Sequence, residues 1–249
     1  MGAVPGRGVL NPHDRPRTPA EAAPWSDVER FRQAGERVLV HRAVASPTVV
    51  LGSTQSPQVI DAARAVAAGI TVVRRRTGGG AVLLRPGDHV WVDVWLPKDD
   101  PLWEHDVAAA AGWVGRWWAA VLLARGVRDV TVHTGPIIQN RWSEQVCFAG
   151  TGPGEVLAGG RKVVGVAQWR SREGSLFRIS AYRHWDPGAL VDVLSVPDGE
   201  REVMRSELSS VAAGLFDLAP APLSVDELWR QLPRGRPWSI EGRPTALEA

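Results

Sequence analysis

The run Val72-Val73-Arg74-Arg75-Arg76-Thr77-Gly78-Gly79-Gly80-Ala81-Val82 constrains this chain more than any other stretch. Three adjacent glycines carry no Cβ, so their backbone can take positive φ and lie directly against a ligand. Their consecutive N–H groups can converge on one concavity and form a nest for an anion. The three preceding arginines can add forked, charge-assisted bonds to phosphate or carboxylate. Apolar pairs flank the run, which predicts a turn between two buried strands. The spacing matches neither the Gly-x-x-x-x-Gly-Lys-Ser/Thr phosphate loop nor the Gly-x-Gly-x-x-Gly dinucleotide turn. On these residues alone, a glycine-rich hairpin with surface arginines fits equally well.

Only two of the 29 basic residues are lysines, Lys98 and Lys162. Lys98 lies in a polar turn, Leu96-Pro97-Lys98-Asp99-Asp100, and needs no special explanation. Lys162 follows a Gly-Gly-Arg turn and opens the apolar run Val163-Val164-Gly165-Val166-Ala167. A compact ammonium on a buried strand suits catalysis better than a guanidinium does. The competing reading is an edge lysine that discourages strand pairing.

Together these segments resemble the biotin/lipoate protein ligase family, which includes the octanoyltransferases. Leu51-Gly52-Ser53-Thr54-Gln55 is similar to its Gly-x-x-Gln turn. Residues Arg74 to Val82 resemble its Arg-Arg-x-Ser/Thr-Gly-Gly-Gly-Ala-Val signature, and Gly160 to Gln168 its Gly-x-Lys-Ile/Val-x-Gly-x-Ala-Gln strand. The likeness spans about residues 25–215. It implies an α/β (α+β) fold with a mixed central sheet and packed helices, as in the family's catalytic domain. It implies an enzyme that attaches octanoyl or lipoyl groups to a lysine of a lipoyl-type carrier domain. The donor would be acyl carrier protein in a transferase. An ATP-dependent lipoate or biotin ligase, working through an acyl-adenylate with ATP and Mg, is the rival. A non-catalytic acyl binder on the same scaffold is a third reading. Lipoate or octanoate would be the transferred group, with no tightly bound cofactor.

Carried over by motif, Lys162 contacts the acyl carbonyl or adenylate phosphate. Arg74, Arg75, Thr77 and the Gly78, Gly79 and Gly80 backbone bind the activated head group. Gln55, Gly165 and Gln168 line the pocket. The family usually places a His two residues after Gly-Gly-Gly-Ala-Val. Leu84 stands there in this chain, with His89 nearby as a possible substitute. The family's His-Gly pair after the Lys strand is also absent, and Leu176-Phe177-Arg178 occupies that region.

Cys147 is the sole cysteine. Between Val146 and Phe148 it suits simple burial, as most free cysteines do. It also precedes a glycine-rich turn leading to Lys162, and a neighbouring cation favours a nucleophilic thiolate. One branch of the octanoyltransferases carries a similar Cys-Phe ahead of the Gly-x-Lys strand and forms an acyl-thioester there.

Composition bounds the rest. At 249 residues, one catalytic domain over 25–232 is expected, between a disordered arm 1–24 and a loose tail 233–249. At this length the accessory domain of many lipoate ligases is not expected. A net charge of +2 gives no support for nucleic-acid binding. No apolar run nears the roughly 20 residues needed to span a membrane, and no secretory signal opens the chain. A lone Cys excludes an internal disulfide framework, fits a cytoplasmic location and, with dispersed His, gives no structural zinc pattern. Expected helices are Trp25–Arg37, Pro57–Ala68 with Val59, Ala62, Ala63 and Val66 on one face, and Trp103–Arg125 with Trp113, Trp117 and Trp118 in the core. Three more fall near Pro187–Leu194, Glu200–Gly214 and Val225–Leu232. Strands are expected at Thr48–Leu51, Ile70–Arg75, Ala81–Leu84 and Val90–Leu96. An antiparallel meander is expected over Gln145–Ala149, Glu155–Ala158, Lys162–Trp169 and Leu176–Tyr182.

Overall fold

A computed structural model describes residues 31, 35–218, 223 and 225–241 of the chain. The expected arm 1–24 and most of the expected Trp25–Arg37 helix lie outside the described residues. Among the described residues there are ten strands: β1 (Arg37–His41), β2 (Thr48–Leu51), β3 (Thr71–Arg74), β4 (Val82–Leu84), β5 (His89–Pro97), β6 (Val130–Val132), β7 (Val156–Ala158), β8 (Arg161–Arg170), β9 (Gly174–Tyr182) and β10 (Trp238–Glu241). The helices are α1 (Ala62–Ala67), α2 (Gly112–Ala124), α3 (Gly188–Val193), α4 (Asp198–Val211), α5 (Leu215–Leu218) and α6 (Val225–Arg230).

Seven strands form the main sheet in the order β10-β1-β5-β9-β8-β7-β6. It is mixed, because β10 joins β1 in parallel and every other pairing is antiparallel. The expected meander is present in β7, β8 and β9. A second, three-stranded sheet has the order β3-β2-β4. The expectation of one sheet is corrected here, and so is that of a glycine hairpin. β3 and β4 do not pair with each other; each pairs with β2 between them. The triglycine segment is therefore a crossover over the end of β2.

Strand alternation explains how the layers stack, since successive side chains point to opposite faces. Val92 and Val94 of β5 and Phe177 and Ile179 of β9 pack with Trp113, Val114, Trp117 and Trp118 of α2. The tryptophans are thus core. Trp91 and Tyr182, on the other face, meet Val50, Val82 and Leu84 of the small sheet. Val49, Leu51 and Leu83 point outward to Leu190, Val191 of α3 and Met204, Leu208 of α4. The result is a four-layer order: α2, large sheet, small sheet, then α3 and α4. Among the described residues no helix is long and apolar enough to cross a membrane.

Four local expectations differ from the structure. Pro57–Ala68 is not one helix: Asp61 caps α1 by accepting from the Arg64 N–H at 3.0 Å, after a short 3-10 turn at Pro57–Val59. This cap resets the helical phase, so Ala65 is buried while Ala62, Ala63 and Val66 are exposed. The long Ala/Trp helix begins only at Gly112, because residues 103–111 are held in turns by acceptors such as Asp106, which takes the Ala108 N–H at 2.8 Å. Cys147–Ala149 is a 3-10 turn rather than a strand. Finally, Trp238–Glu241 is not loose but forms β10. Arg37 explains this: its guanidinium lies 5.0 Å over the Trp238 ring and donates to the carbonyls of Pro233 and Arg236. The same group forms a buried two-point bond to Asp100 at 2.8 and 2.9 Å.

His89 opens β5 and is buried against Tyr182, with ring centroids 4.0 Å apart. Neither ring nitrogen has a hydrogen-bond partner among the described residues. Burial, reinforced by the Arg85 charge, pulls its pKa down to about 3. Its neutral form therefore stabilises the fold fully above the ordinary His value near 6.5, and that contribution is lost as pH falls toward 3.

Two outcomes follow. Arg37→Ala leaves Asp100 buried and unpaired and should cost about 3–5 kcal/mol in urea unfolding; a loss below about 1 kcal/mol would contradict the anchoring role. His89→Phe should flatten the fall in Tm between pH 6.5 and 4 relative to wild type. An unchanged pH profile would show that His89 is not the group lost.

Candidate active site

The glycine crossover builds one wall of a cavity because its missing side chains permit backbone-to-backbone contact. Gly79 has φ +93°. A Cβ on Gly80 would stand 2.5 Å from the Val146 carbonyl carbon and 2.6 Å from the Cys147 nitrogen. A Cβ on Gly52 would stand 1.8 Å from the Gly79 oxygen. The Ala81 N–H donates to Gln145 O at 2.8 Å, and the Cys147 N–H donates to Ala81 O at 3.0 Å. The triglycine segment therefore fixes where Cys147 sits.

Lys162 completes the wall from β8. It is 2 % exposed, and its ammonium has three acceptors. These are Cys147 O at 2.8 Å, Gly150 O at 2.9 Å and the Glu155 carboxylate at 2.7 Å. Nζ also lies 5.0 Å from the Phe148 ring centroid. An ammonium has three N–H donors, and all three are accounted for. Glu155 is itself buried and held: its carboxylate accepts from Gly152 N–H at 2.7 Å and Val166 N–H at 3.0 Å. A buried cation needs such a partner, since an isolated one is costly to desolvate. Glu155 escaped the sequence reading. Its signal was an acid standing at the head of the apolar strand Val156-Leu157-Ala158, directly after a glycine-rich turn.

The arginines behave differently from expectation. Arg75 is 2 % exposed and donates to Val50 O, Gly78 O and Gly80 O at 3.0, 2.7 and 2.9 Å. Burial lowers its pKa, while hydrogen-bond and charge contact with the Cys147 sulfur acts the other way. Arg74 donates to the carbonyls of Gly52, Ser53 and Gln55. Both therefore stitch the loops rather than reach into the cavity as a free clamp. Thr77 is fully buried.

The cavity holds about 770 Å³. Gly78, Gly79, Gly80, Cys147, Lys162 and Gln168 all line it. Val107, Ala111, Ile137, Val166 and Ala167 add apolar wall. Gly165 does not line it, but sits behind it with room for Phe148, whose ring lies 3.3 Å from where a Cβ would be. Gln55 lines an adjoining recess of about 480 Å³ that shares Gly79 and Gly80. Its amide nitrogen donates to the carbonyls of Glu144 and Gln145, and its oxygen accepts from the Gly52 N–H. His89 lines neither space. Among the described residues no group of three or more His, Cys, Asp or Glu is placed to hold a metal ion.

A partly exposed thiol at the cavity wall, a guanidinium against its sulfur and a buried ammonium beneath its carbonyl make a site suited to acyl chemistry on sulfur. The chain is similar to known proteins along most of its length. The lipoyl protein ligase A/B catalytic domain model matches residues 28–235. Octanoyltransferase LipM of Kyrpidia tusciae is 31 % identical over 199 residues, covering 76 % of this chain and 70 % of that protein. Octanoyltransferase LipM of Exiguobacterium sibiricum is 30 % identical over 183 residues, covering 68 % and 62 %. The fold is similar to that of a bi-partite lipoate protein ligase from Thermoplasma acidophilum, with TM-score 0.61 at 21 % identity over 78 % of this chain and 68 % of that one. A lipoate-protein ligase A structure bound with ATP gives TM-score 0.57 at 22 % identity, covering 78 % and 69 %. With the family model spanning most of its length, the chain belongs to the lipoyl protein ligase A/B catalytic-domain family.

Proposed function

We propose that the protein transfers an octanoyl or lipoyl group through Cys147 to a lysine of a lipoyl-type carrier domain. The donor in this reading is a thioester on acyl carrier protein, and the reaction is cytoplasmic. The observation that carries it is the bond from Lys162 Nζ to the Cys147 carbonyl at 2.8 Å, with both residues lining one cavity beside Gly78–Gly80. Family membership and the two octanoyltransferase relatives support it.

The chemistry is a double exchange. The Cys147 sulfur attacks the thioester carbonyl carbon, a new C–S bond forms, and the donor C–S bond breaks. The donor thiol leaves with the proton that Cys147 gave up. The amine of the carrier lysine then attacks the Cys147 thioester, the C–N bond forms, and the amine proton passes to the departing Cys147 sulfur. In each tetrahedral intermediate the oxygen gains negative charge. In this reading, backbone N–H groups of Gly79 and Gly80 and the Lys162 ammonium would stabilise it. Lys162 would do so by exchanging one of its carbonyl acceptors for the new oxyanion.

The apolar wall suits a medium-length tail. The roughly seven apolar carbons of an octanoyl chain at ~0.8 kcal/mol per CH₂ supply roughly 5–6 kcal/mol, equivalent to about 0.1 mM before association costs. The remaining affinity must come from the head group or from the carrier protein that presents it.

Intact-mass measurement after incubation with octanoyl acyl carrier protein tests the reading. An octanoyl adduct should appear on wild type and vanish in Cys147→Ser, and Lys162→Ala should lower turnover by about 10²–10³. Adenylate formation from ATP and octanoate without any adduct would establish the ligase reading instead. Binding without either product would leave a non-catalytic acyl binder.

A further inference from the structure

The transfer reading fills the acyl cavity and leaves the space beside it without an occupant. That recess holds about 480 Å³, and Gly79, Gly80, Gln139 and Ser143 line both spaces. Their chemistry differs. Aliphatic side chains such as Val107, Ile137 and Val166 wall much of the acyl cavity, whereas Thr54, Ser56, Gln139 and Gln145 bring hydroxyl and amide groups to the recess. Among the described residues Glu144 is the one charged group that lines the recess. It is exposed, and its carboxylate has no hydrogen-bond or ion-pair partner among the described residues. The Arg74 guanidinium, which donates to the Gln55 carbonyl, lines neither space.

The backbone fixes where this carboxylate starts. Gln55 Nε2 donates to the carbonyls of Glu144 and Gln145 at 2.8 and 3.1 Å. The Gln145 carbonyl also accepts the Ala81 N–H, and the Ala81 carbonyl accepts the Cys147 N–H. Glu144 precedes Cys147 by three residues, so their Cα atoms are at most about 11 Å apart. Gly79 stands where the two spaces meet, and a Cβ on it would lie 3.8 Å from Cys147 Sγ. A group entering the recess therefore approaches the sulfur past a residue with no side chain.

Transfer brings three groups to one carbon: the acyl tail, the cysteine sulfur and the acceptor amine. The tail and the sulfur belong to the larger cavity, so the amine needs its own approach. A lysine amine, with an ordinary pKa near 10.4, arrives as an ammonium. Its three N–H donors suit a free carboxylate beside the Gln139 amide oxygen and the Thr54 hydroxyl, and Val59 offers apolar contact for its stem. A phosphate or carboxylate would meet a like charge there and no cation.

We propose that this recess admits the acceptor, and that the Glu144 carboxylate receives the ammonium of the carrier lysine. This rests on the transfer reading and adds to it the residue that recruits the acceptor. The ammonium releases one proton to solvent at the exposed mouth. Its nitrogen then attacks the Cys147 thioester carbon, the C–N bond forms, the C–S bond breaks, and a second amine proton leaves with the sulfur.

The test separates the two stages. The full chain is loaded from octanoyl acyl carrier protein, freed of donor, and then given either Nα-acetyl-lysine amide, a cationic amine, or hydroxylamine, which is neutral at physiological pH. Glu144→Gln should lower the second-order rate of acyl transfer to Nα-acetyl-lysine amide at least about tenfold. Glu144→Lys should lower it further, and added salt should narrow the gap to wild type. Transfer to hydroxylamine should stay within about twofold of wild type in both variants, as expected for an exposed side chain with no partner. Unchanged transfer to the amine in both variants, or an equal fall with hydroxylamine, overturns the proposal. If wild type takes up no octanoyl group, the transfer reading falls, and NMR titration with Nα-acetyl-lysine amide decides the recess by itself. Shifts at the Gly79, Gly80 and Gln139 amides that vanish in Glu144→Lys sustain it; no such shifts in wild type, or shifts that persist in the variant, overturn it.

Discussion

The buried Lys162–Glu155 pair is the interaction on which the site's architecture depends. Lys162 could not lie at 2 % exposure without a counter-charge, and Glu155 supplies it at 2.7 Å. Glu155 in turn ties the Gly152 turn to β8 through two backbone N–H groups. The remaining ammonium protons bind the carbonyls of Cys147 and Gly150. One buried charge pair thus gathers a turn, a strand and the cysteine segment around a single point. The triglycine crossover closes on the same segment from the other side, through Ala81 and Cys147.

Much of this was legible because it depended on residue type. Three glycines in a row can do what no other residues can, and one of two lysines in an arginine-rich chain stands out on an apolar strand. The tryptophan core also followed from helical spacing, and the mixed sheet from the family resemblance. What was not legible depended on partners far away in sequence. Arg74 and Arg75 looked like ligand-binding cations, yet the carbonyls of Gly52, Ser53, Gln55 and Val50 occupy them. Nothing local distinguishes an arginine that clamps a loop from one that clamps a phosphate. β10 was missed for the same reason, since Arg37, some 200 residues earlier in the chain, holds that segment in place. The helix phase at Ala62 turned on a single cap, which periodicity alone does not see.

The division of labour among the arginines follows from this. Arg75 satisfies the loop carbonyls that glycines leave bare and presses its charge on the cysteine sulfur. Arg37 and Arg74 have mainly structural partners. Arg178 has none of comparable quality, which sets it apart from the other buried arginines, Arg37, Arg75 and Arg201, all of which find carbonyl or carboxylate acceptors. The departure from the family pattern at Leu84 falls between the two sheets, whereas Phe177 faces α2.

The direct measurement is a crystal structure of the protein after reaction with an octanoyl thioester. The account predicts continuous density from Cys147 Sγ into the cavity walled by Gly79, Gly80 and Ala167, with Lys162 still paired to Glu155. An acyl group attached elsewhere, or Lys162 and the glycine segment turned away from one another, would contradict it.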